Sequence, residues 1–365
     1  MKTLKDFKED IHKCSKCGLC QSVCPLYNEL KNECGVARGQ FLMLEGVLKN
    51  KLKINKNINK YLDMCLKCNK CSEFCPSEIN ALDIILTAKY EYFKKSIEGK
   101  LYSFLQSKWI FNSVLNILEF FSSLFNKKVN QSKNLKYKAI YFSGCVGKLS
   151  PSVTTYVIKL LNRAGIEVID KKFNCCGMPF LTTGNLERFK EQAIENVNRI
   201  DSDVDFFITD CASCETAWKE YHKYIDDETV LGKYNKIEFK NLYDILDEFG
   251  IRFSSKKNIK ISYHCPCHEK YEDSILNLIN NMENVEYIEL DSKNNCCGLA
   301  GLEHPYIIKN IVNIFSKKRK SLLKSDADAI VTSCAGCLFT MSLLTSLRKK
   351  IYRLIAFFKD NCEII

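Results

Sequence analysis

The sequence predicts an α + α/β protein, with an α-helical N-terminal domain built on two cysteine motifs followed by two copies of one α/β module. Three observations carry this reading. Cys14-x-x-Cys17-x-x-Cys20-x-x-x-Cys24-Pro25 returns as Cys65-x-x-Cys68-x-x-Cys71-x-x-x-Cys75-Pro76. Asn174-Cys175-Cys176-Gly177 returns as Asn295-Cys296-Cys297-Gly298, each copy with one cysteine upstream (Cys145; Cys267) and a CxxC downstream (Cys211 and Cys214; Cys334 and Cys337). The spacing is kept as well: Cys145 and Cys267 lie 122 residues apart, Cys175 and Cys296 121, and Cys211 and Cys334 123.

The 365 residues suffice for two or three domains with a sizeable core. Twenty-one cysteines are far above ordinary usage. The segment from Met1 is charged and lacks the apolar core of a secretion signal. The expectation is a cytoplasmic protein whose thiols serve metals or redox chemistry rather than disulfides. The formal charge of +11 counts ligand thiols as neutral, and each four-iron cluster on four thiolates brings roughly −2. The lysines between 49 and 60 are scattered among asparagines, so no nucleic-acid partner is expected.

The first two motifs have the spacing of a two-cluster bacterial-type ferredoxin. Three thiolates two residues apart wrap three corners of one cubane, and the fourth, beyond them at the proline turn, reaches the other cluster. By that rule Cys14, Cys17, Cys20 and Cys75 hold one [4Fe–4S] cluster, and Cys65, Cys68, Cys71 and Cys24 the other. The alternative is a pair of zinc sites, which use CxxC pairs but need neither the third cysteine nor the Cys-Pro ending. Helical apolar spacing over 36–48 and 82–93 makes this ferredoxin domain, residues 1–98, α-helical. Cys34 lies outside both motifs and reads as a spare buried thiol rather than a ligand.

Residues 99–137 connect this domain to the modules. The stretch 101–125 is apolar at helical spacing (Phe111, Val114, Leu115, Leu118, Phe121, Phe125), but Lys108 and Glu119 interrupt it, so it does not span a bilayer. It reads as a helix packed on the ferredoxin part, or else as a face peripheral to the cytoplasmic membrane. Residues 126–138 read as a linker.

The first module, 138–256, reads as strand 139–142 ending at Cys145, then a helix with Ser150 as N-cap and Pro151 at its first position. Strand 166–169 precedes the Cys-Cys-Gly loop, followed by helix 186–200, strand 204–208, and Cys211-x-x-Cys214 opening a helix. The second module, 257–365, repeats the order: strand 259–263, Cys267, helix, strand 285–288, Cys-Cys-Gly, helix, strand 329–332, CxxC. Each ligand group thus follows the C-terminal end of a strand, where open parallel sheets place their sites. Leu242, Tyr243, Ile245, Leu246 and Phe249 match Ile351, Tyr352, Leu354, Ile355 and Phe358 at a constant spacing of 109. Residues 348–359 therefore read as a structural helix with an apolar core face rather than a membrane helix.

A cubane needs four ligands, and each module offers five: Cys145, Cys175, Cys176, Cys211 and Cys214, then Cys267, Cys296, Cys297, Cys334 and Cys337. The fifth implies bridging, an unusual cluster geometry, or a ligand exchanged in reaction, and spacing does not choose among them. A helix N-terminus favours the thiolate, which suits Cys211 and Cys334. Adjacent cysteines need an irregular loop, which Gly177 permits. Cys265, His264 and His268 flank Cys267 as secondary candidates, and Cys362 reads as incidental.

These motifs, in this order, resemble the iron–sulfur subunits of glycolate oxidase and anaerobic glycerol-3-phosphate dehydrogenase, and the fused catalytic subunit of heterodisulfide reductase. The resemblance covers about residues 5–345. It implies Rossmann-like cysteine-rich "CCG" modules, with one further [4Fe–4S] cluster in each. Ala37-Arg38-Gly39, Tyr263-His264-Cys265-Pro266-Cys267 and Cys297-Gly298-Leu299-Ala300-Gly301 are similar to segments of the glycolate oxidase subunit. That family often lacks part of the final CxxC pairs, whereas both are complete here. Complete modules resemble heterodisulfide reductase, whose non-cubane clusters reduce a disulfide. No GxGxxG follows a predicted strand and no GxxxxGK[ST] occurs, so no flavin, NAD or nucleotide is expected on this chain. The resemblance then implies an electron-transfer subunit of a 2-hydroxy-acid (glycolate or lactate) dehydrogenase. An FAD-dependent partner subunit would supply its electrons, and a quinone or other acceptor would take them. Disulfide reduction at the modules is the alternative.

Overall fold

The structure, a computed structural model, describes residues 1–110, 113, 135–200, 204–293, 295–300 and 305–365. The protein is a helical ferredoxin-like N-terminal part followed by parallel-sheet α/β modules. Its residues group into two compact units. The first comprises Met1–Ser107, Pro179–Arg188 and Asn295–Arg319, the second Lys108–Met178, Phe189–Asn294 and Lys320–Ile365.

In the first unit, helices Lys8–Lys13, Ala37–Leu48, Lys56–Asp63 and Ala81–Lys95 bury Phe7, Ile11, Phe41, Leu44, Leu62, Ile84 and Ile85 in one core. Sequence-local signals set their ends. Asn55 caps Lys56–Asp63 by accepting from the amides of Asn57 and Ile58 at 3.0 and 3.1 Å. Losing such a cap costs about 1 kcal/mol, so Asn55→Ala is expected to lower the denaturant midpoint by that amount at unchanged m-value.

Helix Ile97–Leu105 overlaps the start of the expected connecting helix. It contacts helix Ala81–Lys95, and its Ile97, Leu101, Phe104 and Leu105 are exposed. The expected positions 111, 114, 115, 118, 121 and 125, and the linker over 126–134, lie outside the described residues.

The second unit holds both sheets. Strands β1 (Tyr137–Phe142), β2 (Ile166–Val168), β3 (Phe206–Thr209) and β4 (Phe239–Asn241) form a parallel sheet in the order β2-β1-β3-β4. Strands β5 (Phe253–His264), β6 (Glu283–Tyr287), β7 (Ala329–Thr332) and β8 (Lys350–Arg353) repeat it as β6-β5-β7-β8, with β9 (Cys362–Ile364) antiparallel on β5. Tyr141 pairs with Ile208 as Tyr263 pairs with Val331, so the duplication holds at the level of strand register.

The two modules share one core. The first helix of each packs on the last helix of the other: Pro151–Arg163 on Leu354–Asn361, and Glu272–Asn280 on Leu242–Glu248. Leu354, Ile355, Phe357 and Phe358 are fully buried, so the C-terminal apolar face is core, as expected.

Two local expectations are corrected. Residues 348–359 are not one helix, because Lys350–Arg353 is a strand and the helix starts at Leu354. The helix after β4 starts at Leu242, which makes the true spacing 112 rather than 109. A helical apolar pattern nearly matches itself when shifted by three residues, so the sequence alignment settled one step off. The helix after Cys145 does begin at Pro151, but the Ser150 side chain caps nothing; its carbonyl instead accepts from the Val153 amide at 2.9 Å.

Candidate metal centres

The two N-terminal motifs fold alike. Lys16 and Gly18, on either side of Cys17, have φ of 58° and 87°, and Lys67 and Asn69, around Cys68, have φ of 52° and 61°. Left-handed residues flanking the middle cysteine turn the three thiols of each loop toward one side. Cys14, Cys17, Cys20, Cys71 and Cys75 line one cavity of about 40 Å³, with Arg38 and Phe41 in its wall, so Cys75 of the second motif stands with the three thiols of the first. Cys24 and Cys71 each sense the charges of both Cys65 and Cys20. Cys68 sits between the two left-handed residues of the second loop, whose Lys67 amide donates to Cys65 Sγ at 3.4 Å. Burial pushes the Cys24 thiol up to about 11 and that of Cys71 higher still. The Leu19 amide draws exposed Cys17 down. Cys34 is exposed, not buried as expected.

The first module assembles five thiols in one pocket of the second unit. Cys145 follows β1 and Cys175 and Cys176 follow β2. Cys211 follows β3 and is the N-cap residue of helix Ala212–Glu220, which carries Cys214. Cys145 neighbours Cys175, Cys175 neighbours Cys176, and Cys214 neighbours both Cys176 and Cys211. The side chains of Cys175 and Cys214 hold the Cys176 thiol down, while Cys175 and burial lift that of Cys145.

The Cys-Cys-Gly loop is held in shape by side chains. Asn196 Nδ2 donates to the Cys175 carbonyl and Tyr221 Oη to the Cys176 carbonyl, at 2.9 and 2.8 Å. Asn196 and Tyr221 also bond each other. The Gly177 amide donates to Cys175 Sγ at 3.5 Å. Gly177 has φ +83°, and a Cβ there would meet Phe189 at 2.9 Å. Gly177→Ala is expected to cost roughly 1–2 kcal/mol from the backbone alone, with further loss from overpacking. Denaturation midpoints and iron content would register it together.

The second Cys-Cys-Gly loop repeats the local geometry. The Gly298 amide donates to Cys296 Sγ at 3.4 Å, Gly298 has φ +88°, and Phe315 stands where Phe189 does, 2.5 Å from a would-be Cβ. This loop belongs to the first unit, whereas Cys267, Cys334 and Cys337 belong to the second. Within the second unit, Cys334 adjoins the first module. Its sulfur lies 3.1 Å from Ser213 Oγ and accepts from Cys211, and the Ala212 amide donates to the Ser333 carbonyl at 3.2 Å. His264, at the end of β5, donates Nδ1–H to the Lys293 carbonyl at 2.8 Å. Cys265 and Cys362 are buried.

A buried charged pair stands behind these thiols. Asp210, the residue before Cys211, is fully buried and ion-paired with Arg353 at the end of β8. Tyr141 Oη donates to Asp210 at 3.0 Å. At the matching place in the second module Ser333 bonds Tyr263 at 3.1 Å and donates to Glu269. Asn196, Tyr221, Asp210 and Arg353 are absent from the candidates drawn from the sequence. Comparing the residue before each CxxC, aspartate in one copy and serine in the other, is the signal that points to Asp210.

Chemically, sets of four or five thiols, nearly all of them buried or half-buried and some with amides aimed at sulfur, suit soft metals and iron–sulfur clusters. Residues 10–79 match the 4Fe-4S dicluster domain, and residues 139–219 and 261–342 each match the Cysteine-rich domain called CCG. The chain carries one 4Fe-4S dicluster domain and two CCG cysteine-rich domains. Relatives of this CCG-domain chain run its full length. An uncharacterised iron–sulfur protein of Methanocaldococcus jannaschii is 26% identical over 90% of the chain and 67% of the relative. A probable glycolate oxidase iron–sulfur subunit of Bacillus subtilis is 25% identical, covering 93% and 91%. One subunit of a dihydromethanophenazine:CoB–CoM heterodisulfide reductase of Methanosarcina acetivorans is 23% identical, covering 90% and 87%. The chain spans about two thirds of the length of the first of these. Several relatives are named as subunits of oxidoreductases, and this CCG-domain protein is an oxidoreductase subunit of that kind. No helix among the described residues is long and apolar enough to cross a membrane.

Proposed function

We propose that this chain is the electron-transferring subunit of a flavin-dependent 2-hydroxy-acid dehydrogenase complex, oxidising glycolate or lactate. It would take electrons from an FAD-bearing partner and pass them to a quinone or other acceptor. The observation that supports this reading is the gathering of Cys145, Cys175, Cys176, Cys211 and Cys214 as neighbours, with Cys334 of the second module next to Cys211. In this reading Cys14, Cys17, Cys20 and Cys75 hold one [4Fe–4S] cluster, and Cys65, Cys68, Cys71 and Cys24 another. Cys145, Cys175, Cys176, Cys211 and Cys214 hold a third. By the repeat, Cys267, Cys296, Cys297, Cys334 and Cys337 hold the fourth. Bound clusters supply one-electron transfer. The chain's own residues fix the thiols, exclude water and set the spacing between sites. Oxidising a hydroxy acid releases a hydride, so a flavin on the partner divides the pair into single electrons. The exposed apolar side of helix Ile97–Leu105 supports a peripheral contact with the cytoplasmic membrane.

The test is anoxic purification of tagged chain with whatever flavoprotein accompanies it, followed by glycolate or lactate. Reduction of the iron–sulfur absorbance is expected, and a complex that stays oxidised sinks the proposal. A second reading, disulfide reduction at non-cubane clusters, is favoured by one observation: the first module gathers five thiols where a cubane uses four. It requires an EPR signal that responds to added thiol or disulfide, and cubane signals indifferent to both would exclude it.

A further inference from the structure

Lys16 and Lys67 occupy the same place in the two N-terminal motifs, one residue before the middle cysteine, and both are left-handed. Their side chains go opposite ways. Lys16 is exposed and pairs with Glu45 at 2.9 Å on the surface. Lys67 is only 4% exposed, and lysine is almost never so buried unless its charge is paired. Its Nζ donates to the Ala300 carbonyl at 3.3 Å, two residues beyond Gly298 of the second Cys-Cys-Gly loop.

A second contact leads to the same loop. Helix Pro25–Leu30, which starts on the residue after Cys24, lies against Pro305–Ile314. A cavity of about 190 Å³ has Pro25 and Cys296 in its walls, together with Lys31, Lys317 and Lys318. All of these groups belong to the first unit. The site with Cys24, Cys65 and Cys71 therefore meets the second Cys-Cys-Gly loop at two points, while Cys17 of the other site is exposed.

We propose that Lys67 is a positioning residue for electron hand-over from the inner N-terminal site to the second Cys-Cys-Gly loop. The inference rests on the proposed reading that these thiols hold clusters. Lys67 fixes the distance between the two loops through its bond to the Ala300 carbonyl. One electron leaves the reduced inner site, which is oxidised by one, and arrives at the cluster held by the second Cys-Cys-Gly loop, which is reduced by one. No bond changes and no proton moves.

The experiment uses the full chain with its clusters, iron counted beforehand, and photoreduced deazaflavin as a one-electron donor. Freeze-quench EPR follows the N-terminal and module signals in wild type, Lys67→Met and Lys67→Arg. In Lys67→Met the N-terminal signals are expected at full strength, with the rise of the module signals slowed by roughly tenfold, the change that about 1.4 kcal/mol of barrier produces. Lys67→Arg restores most of the rate. Amide hydrogen exchange over 296–300 should quicken in Lys67→Met, a readout independent of cluster loading. An iron-replete Lys67→Met with wild-type kinetics overturns the proposal. Wild-type protein without iron instead fails the underlying reading, and the iron count shows that before any kinetics.

Discussion

Arg353→Met is expected to remove about 3–5 kcal/mol of stability, the usual cost of leaving one partner of a buried ion pair uncompensated. Asp210 is fully buried and Arg353 nearly so, and Tyr141 gives Asp210 one neutral hydrogen bond that does not replace the guanidinium. The deficit depends on pH in a defined sense. Burial already pushes the Asp210 carboxyl up, and Arg353 opposes that rise. Without Arg353 it rises further above its unfolded value. The folded state then tolerates only the neutral acid, so the variant is closest to wild type below about pH 4 and falls away as pH rises through the carboxylate range. Denaturant titrations at several pH values check both statements. Arg353→Met combined with Asp210→Asn should recover much of the loss, because no charge is then stranded. A recovery no better than the single variant would show that the pair contributes by shape alone.

Cys176→Ala is expected to abolish one site and leave the rest. Cys176 neighbours both Cys175 and Cys214, so its removal opens the group of five thiols at its centre. Iron should fall by about four per chain from roughly sixteen, one four-iron cluster's worth. The ferredoxin EPR signals should persist, since Cys14 to Cys75 belong to the other unit. Loss of all iron would mean that the modules and the ferredoxin part mature together. Unchanged iron would show that the remaining four thiols suffice and that Cys176 is the surplus ligand.

Much of this architecture could be read from the chain because cysteine ligands leave a fixed arithmetic. The helix over Ala37–Leu48 and the strand Ala329–Thr332 lie where apolar period and cysteine spacing put them. What escaped has physical reasons. The repeat after β4 and β8 slid by three residues because a helical stripe nearly coincides with itself at that shift. Asp210 and Arg353 are 143 residues apart, and no local pattern announces a pair that only the packing of two modules creates. Lys67 and Lys16 look identical in sequence context, and only the fold makes one buried and the other exposed.

The carbonyls of Cys175 and Cys176 are tied by Asn196 and Tyr221 rather than by the thiols themselves. Order in the first module is therefore available before any inorganic component arrives, unlike a zinc finger, which needs its ion to fold. Assembly in the cell can then run in two separable stages: the polypeptide finishes first, and the maturation machinery meets a preformed, mostly buried receptacle whose single half-buried thiol, Cys145, is the natural point of delivery.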